Sequence, residues 1–137
     1  MNYYNDYYIT RDKKLAVEFL FVDLGYDKGW RAYILSDINY QRRSSLRSDA
    51  QTDVHRLTEQ DDRMICRVNE FKRNNAPFSP LLTRTNSVEY ICWTKPMYDR
   101  DQLMSVASVW ADITSYYIEN GGTFEQIHAL FTRKGYI

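Results

Sequence analysis

From Lys14 to Leu24 nearly every second position is apolar on both faces of an extended chain. Leu15, Val17, Phe19 and Phe21 share one face. Ala16, Leu20, Val22 and Leu24 share the other, interrupted by Glu18. A strand apolar on both faces is expected to be covered on both sides. Gly25-Tyr26-Asp27-Lys28-Gly29 reads as a turn, because glycine supplies positive φ where a turn needs it. Trp30 to Ile38 then returns with Trp30, Ala32, Ile34 and Ile38 on one side, which predicts a β-hairpin. Tyr7 to Thr10 is expected to pair as a short edge strand across Arg11-Asp12-Lys13.

Further along, the period changes. Gln41 to Asp53 is polar, with three Arg and three Ser, and reads as a loop. Thr58 is a candidate N-cap, and Glu59, Asp61 and Asp62 suit the positive end of a helix. Met64, Ile65, Val68 and Phe71 follow at helical spacing. Lys72 and Arg73 complement the negative end, and Asn74-Asn75 can stop the helix. The rival is a strand with Met64, Cys66 and Val68 on one face. Ala76 to Asn86 contains two prolines and reads as a loop; Val88 to Trp93 reads as a strand closed by Pro96.

The clearest helix opens at Asp99, which with Gln102 makes a capping box, while Tyr98 can staple onto Leu103. Leu103, Val106, Ala107, Trp110, Ile113, Thr114 and Tyr117 run down one face. Met104, Ala111 and Ile118 widen it. Gly121-Gly122 ends this helix. Thr123 with Gln126 caps a second one, carrying Phe124, Ile127, Leu130 and Phe131. Strands first and helices last predict an α+β fold in one domain over residues 1–137. Its antiparallel sheet of three to four strands packs against a C-terminal helical hairpin, with one additional central helix.

Charge alters this picture only locally. Eighteen Lys+Arg balance eighteen Asp+Glu, so no strong global steering toward nucleic acid or anionic membrane is expected. The basic excess falls in residues 41–85, with nine basic against six acidic side chains. The first eight residues have neither a basic nor an apolar region, and no apolar run approaches the ~20 residues of a membrane span. A cytoplasmic protein with no membrane association is expected. Cys66 and Cys92 lack CxxC spacing and are expected to be free, buried thiols.

Recognisable catalytic patterns are few. There is no Gly-rich phosphate loop, no GxSxG elbow and no HExxH. His55 and His128 would need partners from distant segments to hold a metal, so no metal and no cofactor are expected. A nucleophile pair of Cys66 or Cys92 with His55 is weighed below a core thiol, because neither cysteine lies at a predicted helix N-terminus. His128, beside Phe124, Ile127 and Phe131, is expected to be partly buried. Asp61, Asp62, Asp99 and Asp101 are explained by helix capping. Glu18 is expected either at a solvent-facing edge or paired with Arg31 across the hairpin; its functional alternative is a polar group on a pocket floor.

Two features suggest binding. Arg42, Arg43, Arg47 and Arg56 offer guanidinium forks suited to phosphate oxygens. Tyr3, Tyr4, Tyr7 and Tyr8 form an aromatic block near an expected sheet edge. Tyr and Asn give adaptable contact surface at low entropy cost. With Tyr116 they are the expected interface of a homodimer, two-fold closure being the commonest.

Three segments also resemble other proteins: Tyr90-Ile91-Cys92-Trp93, the stretch Ser105-Val106-Ala107-Ser108-Val109-Trp110-Ala111-Asp112, and Tyr117-Ile118-Glu119-Asn120-Gly121-Gly122. They resemble small accessory proteins of Gram-positive mobile elements and prophages. The likeness carries no diagnostic motif. It implies a non-enzymatic binding protein that inhibits a host protein or captures a small nucleotide. The alternative is a nucleic-acid- or nucleotide-binding protein using the basic loop 42–47. An enzyme with a Cys/His or carboxylate site is the remaining possibility.

Overall fold

A computed structural model describes residues 2–40, 55–75, 87–93 and 95–137. Its elements are β1 (Tyr3–Ile9), β2 (Ala16–Asp23), β3 (Trp30–Ile34), β4 (Arg56–Thr58), α1 (Asp62–Asn75), β5 (Glu89–Ile91), α2 (Arg100–Asn120) and α3 (Phe124–Arg133). The five strands form one antiparallel sheet in the order β1-β2-β3-β5-β4. The α+β class and the C-terminal helical hairpin are as the sequence predicts, with one more strand than expected.

The two-faced pattern of β2 accounts for the layering. Val17, Phe19 and Phe21 join Ala32, Ile34 and Ile91 in a core closed by Leu103, Ala107, Trp110 and Tyr117 of α2 and by Ile127 and Phe131 of α3. Leu20 and Val22 point the other way. With Tyr33, Leu35 and Val88 they meet Met64 and Val68 of α1. The sheet therefore carries the helical hairpin on one face and a single helix on the other. Trp110, Phe19 and Tyr33 are among the largest fully buried side chains. No helix among the described residues is long and apolar enough to cross a membrane.

The turns follow local chemistry. Gly29 adopts φ +70°, and a Cβ there would lie 2.6 Å from the Met97 carbonyl oxygen. Trp30 donates its amide to that same oxygen at 2.7 Å. Only a residue without a side chain allows this approach. Gly121 ends α2 at φ +79° and donates to the Tyr117 carbonyl. The Thr123–Gln126 capping box is fully formed.

Several expectations are corrected. The edge strand β1 runs from Tyr3, longer than Tyr7 to Thr10, because its whole length finds partners on β2 from Val22 to Ala16. Thr58 ends β4 instead of capping α1; Asp61 is the cap, accepting from the Arg63 amide at 2.9 Å. The Met64–Val68 segment is helix and not strand. At α2 the Asp99 carboxylate accepts from Asp101, one residue earlier than a capping box requires, and Tyr98 stays exposed. Cys66 and Cys92 are free, as expected, but exposed and not in the core. Cys66 lies between Met64 and Val68 on a helix that buries those two, so its own side turns outward. His128 is exposed, one position beyond buried Ile127 on α3. Lys72 and Arg73 do fall in the last turn of α1, as expected, but Lys72 is buried; burial lowers its pKa, opposed by Asp37 and Glu89.

Candidate functional site

The helix α1 covers only part of its face of the sheet. Beyond it, toward the β2–β3 turn, β3, β5 and β4 present Arg31, Tyr90 and Leu57 side by side. Leu57 pairs directly with Tyr90 and remains largely exposed. Here lies an open hollow of about 380 Å³, bordered by Lys28, Trp30, Arg31, Tyr90, Trp93 and Lys95. Three cations and the Tyr90 ring meet there from the turn, two strands and the segment after β5, while the Trp30 and Trp93 side chains pack toward the α2 face.

Fold contacts hold this surface in place. The Arg31 guanidinium lies 4.0 Å from the centroid of the Tyr90 ring. Its Nη1 donates to Glu59 Oε1 at 2.8 Å. Glu59 also accepts the Tyr33 hydroxyl proton and the amide of Gln60. Burial alone would raise the Glu59 pKa; the Tyr33 hydroxyl, Arg31 and the Asp61 and Gln60 amides more than offset it and hold the carboxyl below its ordinary value. Glu59 thus stays ionised and holds Arg31 over the Tyr90 ring. The Trp93 indole nitrogen donates to the Trp30 carbonyl at 3.2 Å, tying the rim together. Among the described residues, Lys28 and Lys95 have no ion-pair partner.

A second cavity, of about 530 Å³, opens on the other side of β5. Its floor is apolar, with Ile91, Val109, Trp110 and Phe124, and its rim carries His55, Cys92, Glu125 and His128. His55, just before β4, has φ +52°, a left-handed conformation uncommon outside glycine but better tolerated by His. Its ring stacks on Phe124 at 4.0 Å, and Nε2 lies 2.9 Å from Glu125 Oε1. That hydrogen bond lowers the pKa of Glu125. The structure therefore brings both histidines and Cys92 to one cavity, while Cys66 lies elsewhere, on α1. Among the described residues, Cys92 and His55 are joined through the backbone only, Cys92 N to His55 O at 2.7 Å. No described group of three His, Cys, Asp or Glu side chains could hold a metal.

The sequence-predicted residues are dispersed. Arg42, Arg43 and Arg47 lie outside the described residues. Arg56 stacks 3.6 Å over Tyr40 and donates from Nε to Glu89 Oε2 at 2.8 Å, so it braces β4 against β5. Glu18 accepts from Asn5 at 2.8 Å and not from Arg31, which Glu59 holds instead. Tyr4 and Tyr8 pack on the α2 face. Tyr3 and Tyr7 stay exposed, and Tyr116 packs edge-on to Phe131. Lys28, Arg31, Lys95 and Tyr90 were missed as a group, because only the pairing of β3, β5 and β4 brings them together.

No family model matches this chain, and no curated protein or solved structure matches it.

Proposed function

We propose that the protein is a non-enzymatic binding protein that captures a small nucleotide on the open part of its sheet. The observation that carries this reading is the convergence of Lys28, Arg31 and Lys95 around Tyr90 in one hollow. A nucleotide has a flat π-face and an anionic phosphate. Arginine planes and aromatic rings stack on the first, and lysines attract the second. The Glu59 carboxylate offsets one of the three cations, leaving the two lysines for the phosphate. The hollow's volume lies in the lower range for small-molecule sites. A strand-binding surface would instead continue as a groove over several nucleotides. The resemblance to mobile-element accessory proteins supports the same reading.

Thermal-shift measurements with mononucleotides, cyclic nucleotides and short oligonucleotides test it. A mononucleotide or cyclic nucleotide is expected to raise the melting temperature by mass action. Lys28→Glu with Lys95→Glu should abolish the shift. Replacing Arg42, Arg43 and Arg47 by Ser should leave it intact. A shift with oligonucleotides alone, lost in the triple-Ser variant, would move the site to the 42–47 loop. No shift with any of these, together with capture of one host protein, would replace the nucleotide by a protein partner.

A further inference from the structure

The two edges of the sheet are unequal. β4 is three residues long, whereas β1 offers seven. Backbone bonds from Thr10 to Leu15 and from Asp23 to Asn2 show that the even-numbered residues of β1 bond toward β2. In an antiparallel ladder the odd-numbered ones must then point outward. Tyr3, Asn5, Tyr7 and Ile9 therefore present unpaired backbone groups, and three of them are exposed apolar or aromatic side chains, at 59%, 66% and 65% for Tyr3, Tyr7 and Ile9. One outward amide is capped locally, Tyr7 donating to Asp6 Oδ1 at 2.8 Å.

Charge on the α2 face of β1 selects the partner and the register. Tyr4, Asp6 and Tyr8 alternate onto that face. The Arg100 guanidinium lies 4.5 Å from the Tyr4 ring centroid, and among the described residues it has no carboxylate partner. The Tyr8 hydroxyl, by contrast, is bonded to the acid Asp112. We infer that β1 pairs antiparallel with β1 of a second copy about a two-fold axis at Asn5, joining two sheets and placing Asp6 of each copy beside Tyr4 and Arg100 of the other.

Shifting the axis to Asp6 would put two carboxylates opposite each other, which is destabilising. Shifting it to Tyr7 would bring Asp6 toward Tyr8 and Asp112, again acid to acid. With the axis at Asn5, Tyr3 faces Tyr7 of the second copy, and about six backbone hydrogen bonds form along the seam. The Tyr7 amide turns from Asp6 to the Tyr3 carbonyl across the seam. That releases the Asp6 carboxylate for Arg100.

Sedimentation velocity over a range of concentrations tests the pairing. A dimer is expected, several-fold weaker in Asp6→Arg and in Arg100→Asp, and restored when the two substitutions are combined. Circular dichroism checks that each variant is folded. For the register, cysteines are introduced with Cys66 and Cys92 changed to Ser. A mixture of Tyr4→Cys and Asp6→Cys chains should form the mixed disulfide. A monomer at every concentration would overturn the inference. So would a dimer indifferent to both charge reversals, or a disulfide formed by Asp6→Cys chains alone.

Discussion

The Tyr8 hydroxyl donates to the carboxylate of Asp112, 2.8 and 3.0 Å from its two oxygens, joining the edge strand to the middle of α2. The Arg11 amide donates to the same carboxylate at 2.9 Å. Close by, Asp12 accepts from Ser115 of α2 at 2.7 Å. An edge strand with one neighbour is thereby fastened to the helical layer by polar contacts as well as packing. Tyr8→Phe should cost about 1.5–3 kcal/mol, the worth of a hydrogen bond to a charged group. Urea unfolding measures it; a loss below a few tenths would mean that the bond contributes nothing.

The same tyrosine gives an alkaline signature. Burial, then the hydrogen bond to Asp112, pushes its pKa up to about 12 from 10.0. A group whose folded pKa is raised stabilises the fold below its unfolded pKa, and that contribution is lost as pH climbs from about 10 toward 12. Unfolding free energies across this range should fall more steeply for the natural chain than for Tyr8→Phe.

Acid acts through Glu59. Its pKa is lowered against the opposing effect of burial, by Tyr33, Arg31 and two backbone amides. Its contribution is therefore present above the ordinary carboxylate value and lost as pH falls through and below it. Glu59→Gln should unfold more easily at neutral pH and show a flatter dependence on acid. Parallel curves for the two proteins would show that the Glu59 network does not respond to pH.

Trp110 is 1% exposed at the centre of the core between α2 and the sheet, edge-on to Phe19 at 6.0 Å. Trp110→Ala should cost about 3–5 kcal/mol, the range for buried large-to-small changes. Denaturant midpoints at unchanged m-value report it.

At the hairpin turn, Gly29→Ala combines a positive φ with a clash against the Met97 backbone. A loss of more than about 1 kcal/mol is expected. The substitution also disturbs Trp30 and Lys28, so it should weaken nucleotide binding along with stability. A stable, fully binding variant would show that the turn relaxes freely.

What the sequence made visible was set by periodicity. β2, α2 and α3 carry long, regular apolar patterns and capping residues, and the structure forms them close to where those patterns begin and end. β4 has one apolar residue, Leu57, within three positions; it exists because it pairs with β5, and no local signal marks it. The displaced start of α1 follows, since Thr58 and Asp61 are both good caps and strand pairing took the first. The candidate site was hidden for the same reason. Lys28, Arg31, Tyr90 and Lys95 sit on a turn, two strands and a loop, and only sheet register gathers them. The arginines at 42, 43 and 47 stood out because they are adjacent in sequence, which says little about convergence in space.

The most direct measurement is isothermal titration calorimetry of the purified chain with mononucleotides and cyclic nucleotides at low and high salt. Saturable binding of one nucleotide per chain is predicted, weaker at high salt and absent after Lys28→Glu with Lys95→Glu in a protein that remains folded. No saturable binding of any of them, or binding unaffected by those two substitutions, would contradict nucleotide capture at this site.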